Sequence, residues 1–148
     1  MSVLFGMKQA STFVGSAVHH LPKLGEMPMQ SYKQSLNQTG LESWPEFEEE
    51  GVEVLEGNPQ QSGRIDWGNV EGPLAVGVWE CSPGKVRLVN PFSEYCTVTE
   101  GRVTVTDGDG KQATFGPGDS FFIAQGEAST WDIHEAFQKT FFFQVNAE

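Results

Sequence analysis

GKVRLVNPFSEYCTVTEG (residues 84–101) and GPGDSFFIAQGEASTW (residues 116–131) are the two stretches that decide the fold. In the first stretch, Glu94 precedes a turn glycine, Gly101, by seven residues. In the second stretch, a Gly-Asp pair begins eight residues before another turn glycine, Gly126. Both stretches consist of short runs of apolar and β-branched residues between turn residues, which is typical of short strands.

Turn signals continue at intervals of about eight to twelve residues from Ile65 onward, the spacing of a β-sandwich or a β-barrel. Upstream, residues 43–50 predict one short helical turn with a solvated acidic surface, and residues 52–55 predict a strand. The remaining predicted strands are Arg64–Trp67, Ala75–Cys81, Lys85–Asn90, Tyr95–Thr99, Arg102–Asp107, Gln112–Phe115, Ser120–Ala124, Thr130–His134 and Lys139–Val145.

Composition and charge limit the functions that this chain can have. Its 148 residues suffice for one domain, and the formal net charge is −11. Such a charge argues against binding to nucleic acid or to an anionic membrane, because no basic patch is available to neutralise phosphates. No apolar run is long enough for a membrane span, and the first residues do not resemble a signal peptide. Two cysteines are too few for a disulfide framework, so a reduced, cytoplasmic setting is predicted.

The chain divides into two parts on these patterns. Residues 1–63 are predicted to form an N-terminal arm and a leading strand, and the arm shows no clear hydrophobic period over residues 1–40. Residues 64–148 are predicted to form the β-barrel.

Side-chain parity along the predicted strands identifies the candidate pocket. Period-two alternation places Glu94, Cys96 and Val98 on one face, which we expect to point inward, and Tyr95, Thr97 and Thr99 on the other. The same parity places Ser129, Trp131 and Ile133 on a single face. A carboxylate inside an apolar barrel needs a partner, a metal or a raised pKa. The predicted pocket therefore combines one acid with aromatic surface.

Both quoted stretches resemble the two motifs of the cupin superfamily, and the resemblance covers roughly residues 65–148. It implies an all-β double-stranded β-helix, the jelly-roll barrel, preceded here by an irregular N-terminal arm. In metal-binding cupins, histidines precede the glutamate of the first motif and a further histidine lies in the second. Three of these four ligands are replaced here and only Glu94 remains, so we expect no metal of the usual kind, while an atypical metal site stays open. The replacing residues are Arg87 and Val89, or Leu88 and Asn90, in the first motif and Ser129 in the second.

The chain is more closely similar to small cupins named after the cupin domain of (S)-ureidoglycine aminohydrolase. The named enzyme carries metal ligands that this sequence lacks, so the resemblance does not imply its activity. The shared features are Gly77-Val-Trp79-Glu-Cys-Ser-Pro-Gly84, Glu94-Tyr-Cys96, Glu100-Gly101, Gly118-Asp119, Trp131 and Lys139.

Each candidate site residue has a functional and a structural interpretation. Glu94 is a candidate general acid or base, or a buried acid held by Arg87 or Lys139. Arg87 and Lys139 are candidate anion contacts, or exposed strand residues. The other candidate ligand-binding residues are Trp79 and Trp131, which would form an aromatic wall or simply core, and Cys96, for which packing is the better explanation.

Two functions follow from these residues. One is a small-molecule-binding cupin, with or without metal-independent turnover of a polar nitrogen or amino-acid metabolite, in which Glu94 is the acid or base. The other is a non-catalytic binding or protein-interaction module with a vestigial metal site. The run Phe141-Phe-Phe143 is aromatic on both faces of its strand, which predicts a cover from the barrel on one side and from a second subunit or the arm on the other. We therefore expect a homodimer.

Overall fold

The computed structural model describes residues 29–33, 39–69 and 71–146. Most of the predicted arm, residues 1–40, lies outside the described residues. The described elements are one 3-10 helix, Phe47–Glu50, and the strands β1 (Glu42–Ser43), β2 (Glu53–Gly57), β3 (Gln61–Gly68), β4 (Leu74–Cys81), β5 (Gly84–Val89), β6 (Ser93–Asp107), β7 (Gln112–Phe115), β8 (Ser120–Ile123) and β9 (Ala128–Gln144). Within these ranges no helix is long and apolar enough to cross a membrane.

Two long antiparallel strands, β6 and β9, organise the fold. They pair along most of their lengths, and the register shifts between Val98 and Val103. The predicted strands Tyr95–Thr99 and Arg102–Asp107 are therefore parts of one strand, β6. Likewise, the predicted strands Thr130–His134 and Lys139–Val145 belong to β9. The predicted turn at Gly101 is wrong: this glycine has φ 82° and lies inside β6, where an irregular stretch bends the strand without ending it.

The bend divides the strands between two sheets that share β6 and β9. One half of β9 pairs with β4 and with residues 93–98 of β6, and β8, β3 and β1 complete that sheet. The other half of β9 pairs with β5 and with residues 103–107 of β6, and β2 and β7 complete the second sheet. Side chains from both sheets form a single core. The predicted all-β jelly-roll fold is confirmed.

Alternation along β6 places the inward residues as predicted, up to the bend. Glu94, Cys96 and Val98 are buried, whereas Tyr95 is 52% exposed. Thr99 was predicted on the outer face with Tyr95, but it is buried and donates a hydrogen bond to Gln138 Oε1 over 2.8 Å. The register shift that begins after Val98 explains this difference, because it interrupts the period of two.

The segment before β3 also contributes to the core, through Trp44, Phe47 and Val52. The predicted helical turn is present as the 3-10 helix. The predicted solvated acidic surface is wrong for Glu50, which is 2% exposed, because its carboxylate faces β3 and accepts a hydrogen bond from Gln61.

Candidate functional site

Lys139 and Glu94 form an ion pair in the interior, between the two sheets. Lys139 lies on β9 opposite Trp79 of β4, and Glu94 lies on β6 opposite Phe143. The side chain of Lys139 is fully buried and that of Glu94 is 2% exposed. The ammonium donates a short hydrogen bond to Oε2 of Glu94. Since a buried charge is stable only when it is paired, each of these groups depends on the other.

Two tryptophans, one from each sheet, enclose this ammonium. Nζ of Lys139 lies 4.6 Å from the ring centroid of Trp131 and 4.9 Å from that of Trp79. The two indoles contact each other edge to face, with centroids 6.0 Å apart. Cation–π attraction is strongest where water is excluded, so both rings stabilise the charge. We call Glu94, Lys139, Trp79 and Trp131 the buried centre.

Hydrogen bonds fix the orientation of Trp131. Its Nε1 donates to Oγ of Ser129 over 3.0 Å, and Ser129 in turn contacts Oδ1 of Asn90 over 3.4 Å. Ser129 and Asn90 are both buried. Ser129 occupies the place of the second-motif histidine, and here its hydroxyl accepts a bond from an indole.

A second set of hydrogen bonds fixes Trp79. Its Nε1 donates to Oε1 of Gln61 over 2.9 Å, and Nε2 of Gln61 donates to Oε1 of Glu50 over 2.8 Å and to the carbonyl of Pro45 over 3.0 Å. Oε2 of Glu50 is buried, with no hydrogen-bond partner within the described part of the chain. Burial raises the pKa of Glu50 to about 7, although the hydrogen bond from Gln61 opposes the rise.

The raised pKa of Glu50 predicts a pH-dependent stability. Since its pKa is about 7 in the folded chain against an ordinary 4.5, the folded state binds the proton more tightly. Protonation of Glu50 therefore stabilises the folded state fully below pH 4.5, and this stabilisation is lost as the pH rises through about 7. Glu50→Gln cannot titrate, so from pH 5 to pH 8 it should lose less unfolding free energy than the parent, by about 2 to 3 kcal/mol.

Urea unfolding at several pH values measures this difference. Glu48→Gln is the matched control, because Glu48 is an exposed acid of the same 3-10 helix. The control should follow the parent. Parallel curves for the parent and Glu50→Gln would contradict the assignment of the buried proton to Glu50.

The two cysteines lie beside the buried centre and pack in the core. Both are unpaired and buried. Burial raises the pKa of Cys81 and of Cys96 well above the ordinary range, and the nearby charge of Lys139 only partly offsets this. Both therefore remain thiols at neutral pH. This agrees with the packing interpretation of Cys96.

Arg87 is separated from the other candidates. Its side chain is 55% exposed and pairs with Glu53 over 2.8 Å on the outer face of β5. Parity explains this position, because the preceding residue, Val86, is the one that points into the core. Of the two partners that the sequence offered for Glu94, the structure therefore selects Lys139.

The buried centre does not fit the metal that metal-binding cupins hold. The carboxylate of Glu94 already binds an ammonium, and a divalent cation beside it would be repelled. The hydroxyl of Ser129 is occupied by Trp131. Across residues 29–33, 39–69 and 71–146, no group of three or more histidine, cysteine and acidic side chains converges on a point that would hold a metal ion.

An open cleft lies next to the buried centre, with a volume of about 150 Å³. Phe121 separates the two: its ring lies 5.5 Å from Trp131 on one side and stacks on Phe115 at 4.2 Å on the other. Ser129 also lines the cleft. The remaining lining residues are Val105, Asp107, Lys111, Gln112, Ala113, Phe122, Ile123 and Glu127.

Several residues of the site were missed by sequence analysis. Nothing in the sequence indicates that Gln61 and Glu50 are buried, because a glutamine in a strand and a glutamate in a run of acids are ordinarily exposed. The inward position of Lys139 was predictable in principle. Trp131 and Lys139 lie an even number of residues apart on one strand, so their side chains point to the same face. The local pattern predicts two separate strands here, so this parity alone does not relate Lys139 to Trp131.

Comparison with known proteins shows which domains the barrel is similar to. Residues 69–141 match the family model described as EutQ-like cupin domain. No match was found among the curated proteins. Among solved structures, the EutQ protein of Clostridium difficile is 14% identical, with a TM-score of 0.52, over 59% of this chain and 69% of that one.

Two further structures show the same fold. A protein of unknown function from Pseudomonas syringae pv. tomato is 24% identical, with a TM-score of 0.56, over 62% of this chain and 39% of that one. An RmlC-like cupin from Shewanella frigidimarina is 18% identical, with a TM-score of 0.50, over 60% of this chain and 78% of that one. Residues 69–141, just under half of the chain, are thus similar to a EutQ-like cupin domain, and the described strands have the all-β cupin fold.

Proposed function

We propose that this cupin domain binds a small amine-bearing molecule in the cleft and that Lys139 takes the place of the usual metal. The observation that carries the proposal is the buried ion pair of Lys139 with Glu94, covered by Trp79 and Trp131. Because this ion pair and the two rings fill the interior, the interior is a rigid support of the barrel and not a reactive metal centre. The cleft then lies on the outer side of that support, against Phe121.

The lining of the cleft favours a ligand with a flat apolar part. The stacked rings of Phe115 and Phe121 offer an aromatic surface. A volume of about 150 Å³ is that of a cavity that holds one small ring such as benzene. The ligand is therefore one ring or a short chain in size.

The charges around the cleft favour a cationic group on that ligand. Asp107 and Glu127 are acids and Lys111 is the one base among the lining residues. Oδ1 of Asp107 already accepts backbone hydrogen bonds from its own turn, whereas the carboxylate of Glu127 has no hydrogen bond or ion pair within the described ranges. The net charge of −11 adds a negative field. These charges suit an amine, as in a nitrogen or amino-acid metabolite.

The competing function is an enzyme in which Glu94 is the acid or base, which would suit a member of the ureidoglycine aminohydrolase-like subgroup. A catalytic acid or base must come within hydrogen-bond reach of its substrate. Glu94 is 2% exposed and its carboxylate binds Lys139, so binding without turnover at Glu94 is the better-supported function. We place this function in the cytoplasm, where both buried cysteines remain reduced.

Benzylamine, benzyl alcohol and benzoate are suitable probes for the cleft, because they share a ring and differ in charge. We expect benzylamine to shift the amide NMR signals of cleft residues with a Kd on the order of 1 mM, the range of a weak fragment. Benzyl alcohol should bind less tightly and benzoate least. Glu127→Gln should reduce the preference for the amine.

Ala113→Trp and Thr114→Trp form a matched pair for this titration. Ala113 lines the cleft, whereas Thr114 is its neighbour on β7 and is not part of the lining. Ala113→Trp fills the cleft from an exposed position and should weaken benzylamine at least about tenfold, a loss of about 1.4 kcal/mol. Thr114→Trp should leave binding unchanged. Equal binding to both variants, or no preference for the amine, would overturn the proposal.

A further inference from the structure

Lys111 is an exception among the lysines and arginines of the barrel. Six of them lie in the described chain between Gln61 and Gln144, and five form ion pairs: Arg64, Lys85, Arg87, Arg102 and Lys139. The ammonium of Lys111 has no ion pair or hydrogen bond within the described residues. In a chain with a net charge of −11, a base without an acid is unexpected. Because Lys111 lines the cleft, an anionic group of a ligand is a suitable partner for its ammonium.

Glu127 is the corresponding acid of the same cleft, since its carboxylate is also unpaired across the described ranges. Its backbone is fixed, because its carbonyl accepts a hydrogen bond from the N–H of Asn90 over 2.8 Å and its own N–H donates to Ala124 over 3.2 Å. Lys111 is fixed by Asp107, whose Oδ1 accepts its N–H over 2.9 Å and whose N–H donates to its carbonyl over 2.9 Å. The fold therefore sets where both charges are attached, and both charged ends face the cleft unpaired.

The two residues lie on opposite sides of Asp107. Lys111 faces Asp107 across the hairpin of β6 and β7, and on its other side Asp107 pairs with Ser129 at the start of β9, next to Glu127. Since neighbouring strands lie about 4.8 Å apart, two strand spacings, roughly 10 Å, separate the backbones of Lys111 and Glu127. Asp107 forms no ion pair with Lys111, because its Oδ1 accepts the backbone N–H groups of Asp109 and Lys111.

We infer that the cleft binds a free α-amino acid with a ring or a short apolar side chain, whose ammonium contacts Glu127 and whose carboxylate contacts Lys111. This inference rests on the proposed function and adds a second charged contact to it. An α-amino acid carries its ammonium and its carboxylate on one carbon. With a charge-assisted hydrogen bond of about 2.8 Å at each end, this group fits between side chains that start roughly 10 Å apart.

The stacked rings of Phe115 and Phe121 supply the third contact, for the apolar side chain of the amino acid. Three different contacts around one carbon distinguish two enantiomers, because the mirror image satisfies only two of them at once. A peptide carries its terminal ammonium and carboxylate on different residues. A free amino acid is therefore the ligand class that satisfies all three contacts.

Benzylamine, phenylacetate and phenylglycine are the matched probes, added to the full chain in an NMR titration. Phenylglycine is benzylamine with a carboxylate on the same carbon, and phenylacetate has the carboxylate without the ammonium. One enantiomer of phenylglycine should bind about threefold to fivefold more tightly than benzylamine, the gain from one exposed ion pair. The other enantiomer should bind at least about threefold less tightly than the first, and phenylacetate should bind least.

Lys111→Gln removes the contact to the carboxylate and should reverse this order. Benzylamine should then bind more tightly than either enantiomer, because the carboxylate meets only acids. Lys85→Gln is the matched control: it removes the same charge from the chain, but Lys85 pairs with Glu56 and does not line the cleft. This variant should keep the order of the parent. Lys111 is exposed, so its substitution leaves the fold intact, which thermal unfolding verifies.

The outcomes separate this inference from the proposed function. If benzylamine binds at least as tightly as both enantiomers of phenylglycine, the inference is overturned and the proposed function stands. A chain that binds none of the three probes would overturn both. Equal affinities of the two enantiomers, or the same order of binding to Lys111→Gln and Lys85→Gln, would also overturn the inference, because the carboxylate would then make no contact with Lys111.

Discussion

Replacing Lys139 by methionine is expected to destabilise the protein by about 3 to 5 kcal/mol, because the substitution leaves the carboxylate of Glu94 buried without a partner. The methionine fills nearly the same volume, so the loss comes from the charge rather than from a cavity. Two favourable terms disappear together, the hydrogen bond to Glu94 and the cation–π contacts with Trp79 and Trp131. Few single substitutions cost as much.

The double variant Glu94→Leu/Lys139→Met separates the charge from the packing. Once both charged groups are replaced by apolar side chains of similar volume, no buried charge is left, and such replacements are often neutral or stabilising. We therefore expect the double variant to be within about 1 kcal/mol of the parent or above it. Glu94→Gln alone should cost about 1 to 3 kcal/mol, because the amide oxygen still accepts a hydrogen bond from Lys139.

Lys85→Met is the control for these measurements. Lys85 also pairs with an acid, Glu56, over 3.8 Å, but the Lys85 side chain is one-third exposed and that of Glu56 is 68% exposed. An exposed pair contributes less than about 1 kcal/mol, so this variant should unfold close to the parent. Urea unfolding at constant pH gives all four values. If Lys139→Met unfolds like Lys85→Met, the ion pair does not hold the buried centre together.

The buried centre was partly predictable because its components obey the period of two. Parity alone placed Glu94 on the inner face of one strand and Trp131 on the inner face of another. The partner of Glu94 was not decided, because it depends on which strands are neighbours. Only the pairing of β9 with both β4 and β6 brings Lys139 between the two tryptophans.

Other features depend on pairing across long stretches of chain, which local patterns do not contain. Tyr95, Phe122 and Phe142 are exposed aromatic residues that lie side by side on three strands, and each looks ordinary in its own segment. The hydrogen bonds from Trp79 through Gln61 to Glu50 likewise join β4, β3 and the 3-10 helix. An acid within an acidic run gives no sign that it will be buried.

Gly101 was recognised in the sequence but assigned to a turn, since a glycine with positive φ serves equally well in a turn or a bulge. Its position inside β6 predicts the second large effect. A Cβ at this residue would lie 2.1 Å from the carbonyl oxygen of Ala136 and 2.7 Å from Cα of Phe137, both backbone atoms of β9. Gly101→Ala therefore strains its own backbone and also separates the two long strands at the bend.

Gly110→Ala measures the cost of backbone strain alone, without a clash with a neighbouring strand. Gly110 has φ 87°, close to the 82° of Gly101, but a Cβ there meets nothing within 4 Å. Its substitution should cost about 1 to 2 kcal/mol, the price of a left-handed conformation for alanine. Gly101→Ala should cost more than about 4 kcal/mol, because backbone atoms of a paired strand cannot move aside as a side chain can.

The difference between the two variants measures how closely β6 and β9 approach each other at the bend. That approach matters for the buried centre, because Lys139 follows Phe137 by two residues on the same face of β9, and Glu94 is on β6. Strands held apart at Gly101 should weaken the ion pair as well, so Gly101→Ala and Lys139→Met should be less than additive in a double-mutant cycle. Equal unfolding free energies for Gly101→Ala and Gly110→Ala would show that the strands do not meet there, and that the two sheets are joined in some other way.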